Sequence, residues 1–330
     1  MKEKIFVLVV GSFILGAVYL AEAQQTTKTI PRIGFISSTG APESPSPLFA
    51  AFRQGLSDLG YVADKNTIIL HRYAEGRLDR MPGLVNELVQ QNVDVIVAVN
   101  NVIIRAAKDA TKTIPIVMLS SVDPVAAGYV DSFARPGGNI TGFAHLGRDL
   151  SAKRVELLKE LLPKMSRVAI LWDADGPGPA IAFKEYEGAA RAFKLELRSV
   201  EVHGPNPDLV RAFQAGKTAR VDALIVVANP LMAQHAKQVF ELVTKNRLPS
   251  MVEGTQYVEA GGLISYGANL ADLYRRAAGY VVEILKGAKP GDLPVKLPEK
   301  FEIFVNLKTA KQLGLVVPQH VLVQADKVIK

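Results

Sequence analysis

A handful of polar and aromatic residues fall where apolar runs of this chain stop, and their types suit recognition or chemistry. In the first half they are Ser37, Ser38, Glu75, Asn100, Asn101, Ser120 and Asp123; in the second, Trp172, Asn229, Glu253 and Tyr257. Gathered in one cleft, Glu75, Asp123 and Glu253 would make a carboxylate site for general acid–base work, but three acids in a cleft equally describe recognition of an amine. The serines, placed ahead of helices, suit a carboxylate, because unpaired N–H groups and the positive end of the helix dipole lie there. Plainer roles compete. Asp123 precedes Pro124 and divides evenly between helix cap and contact. Asn100 and Asn229 are caps or contacts, with contact favoured because both halves carry Asn at that point. Trp172, the single tryptophan, is core or a stacking platform, and the loop Asp173-Ala-Asp-Gly-Pro-Gly after it favours the platform.

Signatures of a nucleotide enzyme or a hydrolase are missing. Gly216-Lys217-Thr218 has the end of a phosphate loop, but Arg211 stands where the earlier glycine belongs, and the stretch precedes a strand instead of following one. No G-x-G-x-x-G follows the first strand, and no G-x-S-x-G elbow exists. The five histidines (His71, His145, His203, His235, His320) have no i,i+4 partner, so no metal site is expected, and each is read as a surface or hydrogen-bonded residue. There is no cysteine, which removes disulfides, thiolate chemistry and zinc–sulfur sites.

The elements that must carry these residues are legible from apolar runs. Val93–Val99 and Ile114–Leu119 are short, continuous and rich in Val and Ile, which fits strands covered by helices on both faces of a parallel sheet. The first ends at Asn100-Asn101 and the second at Ser120-Ser121-Val122-Asp123, and in open parallel sheets ligands sit beyond the carboxyl ends of strands. Other expected elements are strands at Ile33–Ile36, Thr67–His71, Ile140–Ala144 and Phe301–Val305. Helices are expected at Leu48–Gly60, Asp79–Gln91, Leu150–Leu162 and Asp272–Lys286.

Several phrases occur twice and in the same order. Val221–Asn229 echoes Val93–Asn100, Leu248–Val252 echoes Ile114–Met118, Arg167–Trp172 echoes Arg32–Ser37, and Leu195–Val200 echoes Thr67–Leu70. Four echoes in order imply two α/β lobes of similar construction facing one another. The expected fold is α/β, two Rossmann-like lobes with parallel sheets joined by a multi-strand hinge. Residues 30–141 plus 268–297 form the first lobe, and 142–267 plus 298–330 the second.

Length and composition agree with two lobes, since 330 residues at 48% hydrophobic content exceed what one core usually takes. Lys2 and Lys4, the apolar run Ile5–Leu20 and Ala21-Glu22-Ala23 read as a cleavable signal peptide over 1–23, favoured over a retained membrane anchor because the run is short for a span and Gly11, Ser12 and Gly16 dilute it, and the mature chain is expected in the periplasm. The net charge of +7 does not imply nucleic acid, because Lys153, Arg154, Lys159, Lys184, Arg191, Arg211, Lys217 and Arg220 are scattered on helical faces that also hold Glu.

At this point the chain resembles the exported substrate-binding components of ABC importers, in the group related to the tryptophan/tyrosine-type binders. The resemblance is carried by Phe52-Arg-Gln-Gly-Leu with Leu59-Gly-Tyr61, Ala74-Glu-Gly-Arg-Leu-Asp-Arg80, Thr113-Ile-Pro-Ile-Val117 and Ala134-Arg-Pro-Gly-Gly-Asn-Ile-Thr-Gly142. It continues in Tyr257-Val-Glu-Ala-Gly-Gly262, Ser265-Tyr-Gly267, Asp272-Leu-Tyr-Arg-Arg-Ala-Ala278 and Asn306-Leu-Lys-Thr-Ala-Lys. It implies the type I periplasmic-binding-protein fold, a small-molecule solute held between the lobes without a cofactor, and delivery to an ABC permease in the inner membrane by a monomer. Asn100-Asn101 stands where small residues such as Gly-Thr are frequent in that group. With the serines and acids, the reading is a carrier of a carboxylate-bearing solute, aromatic or amino-acid-like. The rivals are a periplasmic hydrolase or lyase using the same cleft, and a ligand-sensing domain for a membrane receptor.

Overall fold

Strands without a polar face dominate both halves of the chain. The structure, a computed structural model, describes residues 30–330 apart from 39, 145–146 and 219, and apart from the side chains at 147–149, 177 and 215–218. The expected signal peptide over 1–23 and His145 lie outside the described residues. In the first sheet β1 (Arg32–Ser37), β3 (Val95–Ala98), β4 (Ile116–Ser120) and β5 (Ile140–Ala144) are buried almost throughout, while β2 (Ile68–Tyr73) lies at one edge and is half-exposed. All pair in parallel in the order β2-β1-β3-β4-β5. Burial on both faces is why Val, Ile and Leu run on without alternation.

Helices cover both faces of that sheet. α1 (Pro47–Asp58) packs on one side, and α2 (Met81–Gln90) and α3 (Asn101–Ala110) on the other. The second sheet repeats the plan with β6 (Arg167–Asp173), β7 (Glu196–Val202), β8 (Ala223–Val226), β9 (Ser250–Val252) and β10 (Ile264–Ala268). Its order, β12-β11-β10-β9-β8-β6-β7, contains the same 2-1-3-4-5 permutation, extended by β11 (Phe301–Asn306), antiparallel to β10, and β12 (Lys327–Ile329), parallel to β11. Its helices are α4 (Gly147–Leu161), α5 (Pro177–Ala192), α6 (Leu209–Thr218), α7 (Pro230–Gln234), α8 (Ala236–Lys245) and α9 (Thr255–Glu259), and its two faces hold separate apolar clusters. Among the described residues no helix is long and apolar enough to cross a membrane.

The chain passes between the sheets three times. After β5 it enters α4, which packs on α5 and β10 of the second sheet. After β10 it returns as α10 (Leu270–Leu285), laid along α1 so closely that a Cβ at Gly55 would run into the carbonyl oxygen of Arg275. It crosses again after Lys296, whose backbone bonds to Gly142 and Ala144 at 3.0 Å each before β11 begins. The first passage lies later than the expected division at 141–142. All five residues of β5 pair with β4, from Ile116↔Ile140 to Ser120↔Ala144, because stopping at 141 would leave that edge of β4 unpaired. The final α11 (Leu307–Leu313), α12 (Gln319–Gln324) and β12 had no signal in the apolar pattern.

Candidate functional site

In a doubly wound sheet the crevice opens where the chain, having gone to one side of its first strand, switches to the other. Here the switch lies between β1 and β3 in one sheet and between β6 and β8 in the other, so the residues at the mouths of those strands are Ser37 and Asp173, which end β1 and β6, and Asn100 and Asn229, which follow β3 and β8. All four line one cavity of about 500 Å³ shared by both sheets. Ser38 and Asn101 join the first wall, and Glu253 and Tyr257 the second. Phe35, Phe49 and Tyr274 supply aromatic surface, and Arg105 a cation, from the first-sheet side.

The two asparagines are caps, and they also face the cavity. Asn100 Oδ1 accepts the Ile103 N–H at 3.0 Å and Asn229 Oδ1 that of Met232 at 2.8 Å, each satisfying one donor that a helix start leaves open. Capping occupies only the oxygen. Asn229 Nδ2 is buried with no partner among the described residues. Asn101 is tied into its own wall, donating to Ser121 Oγ at 2.8 Å and accepting from Ser120 Oγ at 3.0 Å. Ser37 Oγ lies 2.8 Å from His71 Nε2.

Glu253 is held from three sides. Arg154 Nη1 donates to its Oε1 at 2.7 Å and Tyr186 to the same oxygen at 2.6 Å, while the Ala228 N–H donates to Oε2 at 3.0 Å. Arg154 Nε also donates to the Tyr266 carbonyl at 2.7 Å. Read from sequence as one charge of a solvated helical face, Arg154 is only 4% exposed, because Glu253 and the strand end of β10 give its guanidinium partners inside. Asp175 is engaged as well, by His203 Nδ1 at 2.8 Å and by the Gly204 N–H, and the imidazole bond holds its carboxyl below the usual range. Among the described residues Asp173 accepts only the Asp175 N–H, at 3.1 Å, and burial raises its pKa. With the internal pairs discounted, Asp173 is left as an anion facing the cavity, and Arg105 as a cation without an ion-pair partner among the described residues.

Four expected site residues do not line the cavity. Glu75 is exposed and pairs with Arg80 at 3.0 Å. Ser120 is fully buried, bonding Asn101 and the Val122 carbonyl at 2.8 Å. Asp123 closes a turn, with no helix after it to cap: its side chain accepts the Val125 and Ala126 N–H groups at 2.9 and 3.2 Å, and 124–128 are turn residues. Trp172 is core: its ring stacks on Phe183 of α5 at 4.7 Å and its Nε1–H donates to Ser199 Oγ at 2.8 Å. Successive strand residues point to opposite faces, so Trp172 goes under α5, and Asp173 at the strand's end reaches the cavity. Asp173 was findable, since the echo of Arg32–Ser37 by Arg167–Trp172, carried one residue further, puts an acid at the strand mouth. Tyr274, on α10, carried no such signal.

The lobes touch beside the cavity. A Cβ at Gly178, near the start of α5, would stand 2.9 Å from Asn101 Nδ2, and one at Gly76 would stand 3.3 Å from the Gln234 side chain. These glycines let the second wall come down on the first.

Known proteins resemble this chain over most of its length. It is 28% identical over 265 residues to a tyrosine-binding protein of Clostridioides difficile, covering 80% of this chain and 75% of the relative. Among solved structures it superposes with a TM-score of 0.84 on an ABC domain from Streptococcus pneumonia in complex with L-Trp, at 26% identity and covering 91% of this chain and 100% of that one. A leucine-binding protein of Thermotoga maritima, at 11% identity and a TM-score of 0.61 over 86% of this chain and 87% of its own, shares the fold alone. The α/β architecture with two mostly parallel sheets is that of type I periplasmic binding proteins. A family model described as ABC transporter substrate binding protein matches residues 45–329, and the chain belongs to that family.

Proposed function

We propose that this protein is the exported solute-binding component of an ABC importer, that its solute is an aromatic amino acid or a close relative, and that it hands the closed complex to an inner-membrane permease. The observation that carries the reading is that groups of opposite character, with bonding capacity left over, face the cavity from its two walls. Asp173 on the second wall suits an ammonium, Ser37 and Arg105 on the first wall suit a carboxylate, Asn229 Nδ2 beside Asp173 is a further donor, and Phe35, Phe49, Tyr257 and Tyr274 give a ring an apolar surround. Burying such a ring contributes about 4–6 kcal/mol at 150–250 Å² of apolar area. The tyrosine-binding relative and the L-Trp complex point to the same class of solute.

Binding without turnover is the fitting outcome. Ser37 beside His71 has the outline of a nucleophile and its base, but burial lowers the His71 pKa to about 4, and its Nδ1 meets no carboxylate that would raise its basicity. The test is a thermal-shift series with L-tyrosine, L-tryptophan, L-phenylalanine, tyramine and 3-(4-hydroxyphenyl)propionate. At 100 times Kd a solute should stabilise the native state by about 2.7 kcal/mol. The amino acids should raise Tm progressively with the logarithm of concentration, and the analogues lacking one charged end should do so less. Recovery of altered solute after incubation would overturn the reading.

A further inference from the structure

Behind the first wall stands a titratable ring that the binding reading leaves without a role. His71, on β2, is enclosed by Tyr73 stacked at 3.9 Å, Phe49 at 4.0 Å and Phe35 edge-on at 5.0 Å between ring centroids. Its Nε2 meets Ser37 Oγ at 2.8 Å, and its Nδ1 is buried with no partner among the described residues. The ring is neutral near pH 7, since burial brings its pKa down to about 4. One nitrogen therefore carries a proton and the other a lone pair.

The two tautomers leave different things behind. With the proton on Nδ1, a buried N–H has no acceptor, and the Ser37 hydroxyl gives its own hydrogen to Nε2. With the proton on Nε2, what stays unpaired is a lone pair, and Ser37 accepts from the ring. A buried N–H left without an acceptor is the rarer and costlier defect, which favours the second state. In that state the Ser37 hydrogen is unspent, no other hydrogen bond to Ser37 Oγ is made among the described residues, and Ser37 lines the cavity.

We propose that His71 is a positioning residue for solute recognition: its Nε2–H donates to Ser37 Oγ and so commits the Ser37 hydroxyl to donate into the cavity, to a carboxylate oxygen of the bound solute. The Ser37 hydrogen is thereby left for an acceptor at the β1 end of the solute, so a carboxylate is favoured there over an ammonium, which could use only the second lone pair of the hydroxyl. This rests on the cavity being the solute site, and the two ideas fail separately.

The experiment has a ligand-free arm and a binding arm. Long-range ¹H–¹⁵N spectra of the ¹⁵N-histidine-labelled protein at neutral pH, with His71 identified through His71→Gln, report the tautomer directly. The expected result is a neutral ring protonated on Nε2. A proton on Nδ1, as an N–H pointing to the face of Phe35 would favour, overturns the proposal whatever the protein binds. In the second arm L-tyrosine is titrated calorimetrically into the wild type, Ser37→Ala, His71→Phe, His71→Gln and the Ser37→Ala/His71→Phe double variant. Ser37→Ala and His71→Phe should each weaken binding on the order of 10-fold, the double variant should be no weaker than the worse single one, and His71→Gln, which keeps a donor, should restore much of the loss. Losses that simply multiply in the double variant would make His71 a packing residue only and overturn the positioning role. A wild type indifferent to L-tyrosine, L-tryptophan and their deaminated acids would instead remove the solute site, and the role of His71 with it.

Discussion

Asn100 and Asn229 end corresponding strands with nearly the same backbone, φ −159° and ψ 168° against φ −158° and ψ 174°, and each caps the next helix through its own oxygen. Beside them the likeness stops. Where the first wall offers Ser37 backed by a neutral imidazole, the second offers Asp173. Where β4 runs into the uncharged net of Ser120, Asn101 and Ser121, β9 runs into the ion pair of Glu253 and Arg154. The comparison separates scaffold from chemistry. A doubly wound lobe needs a cap at the end of its third strand, and both lobes keep one. It needs nothing particular at the neighbouring strand ends, and there the lobes have become a donor wall and an acidic wall, suited to opposite ends of one zwitterion.

Breaking the charged net of the second wall should have the largest effect. Arg154→Met strands a buried carboxylate and should cost about 3–5 kcal/mol in chemical denaturation, whereas Ser120→Ala in the uncharged net should cost about 1–3 kcal/mol. Equal losses would mean that the two nets do the same structural work. Trp172→Ala should also lose about 3–5 kcal/mol of unliganded stability, as a large core truncation, and a variant of unchanged Tm would return Trp172 to the cavity.

The pH response comes next. The folded pKa of His71, about 4, lies below the ordinary 6.5, so the unfolded chain binds more protons between those values. The stability that the neutral ring contributes is fully present above about pH 6.5 and is lost as pH falls through about 4. After allowance for the ring's partial exposure this amounts to about 2 kcal/mol. The wild type should lose that much more stability than His71→Phe over this range, and parallel profiles would contradict the assignment.

Two smaller effects sharpen the contrast between the walls. Asp173→Asn should weaken L-tyrosine binding by about 1–2 kcal/mol while leaving the affinity for 3-(4-hydroxyphenyl)propionate unchanged, because only the amino acid brings an ammonium. Loss of both affinities together would point to a structural role. Asn100→Ala and Asn229→Ala should each cost about 1 kcal/mol, the worth of a cap, and unequal costs would show that one of them does more than cap.

How much of this could be read beforehand follows from what each residue answers to. Strands buried on both faces announce themselves as apolar runs, and three such runs with one half-exposed edge strand, repeated in the same order, mark out two lobes. Strand ends were legible as well, which is why Ser37, Ser38, Asn100, Asn101, Asn229, Glu253 and Tyr257 came from the sequence and line the cavity. What failed was direction. Trp172 and Asp173 are neighbours, and only the pleat decides which of them faces the solute. Arg154 looked like a surface charge because its partners Glu253, Tyr186 and Tyr266 lie 99, 32 and 112 residues away. His71 looked like any isolated histidine until β1 and β2 set it beside Ser37.

The most direct test of the account is a crystal structure of the protein with L-tyrosine bound. The account predicts the ring among Phe35, Phe49 and Tyr274, the carboxylate within hydrogen-bond reach of Ser37, and the ammonium on Asp173. An amino acid touching one wall only, or lying outside the space between the two sheets, would contradict it.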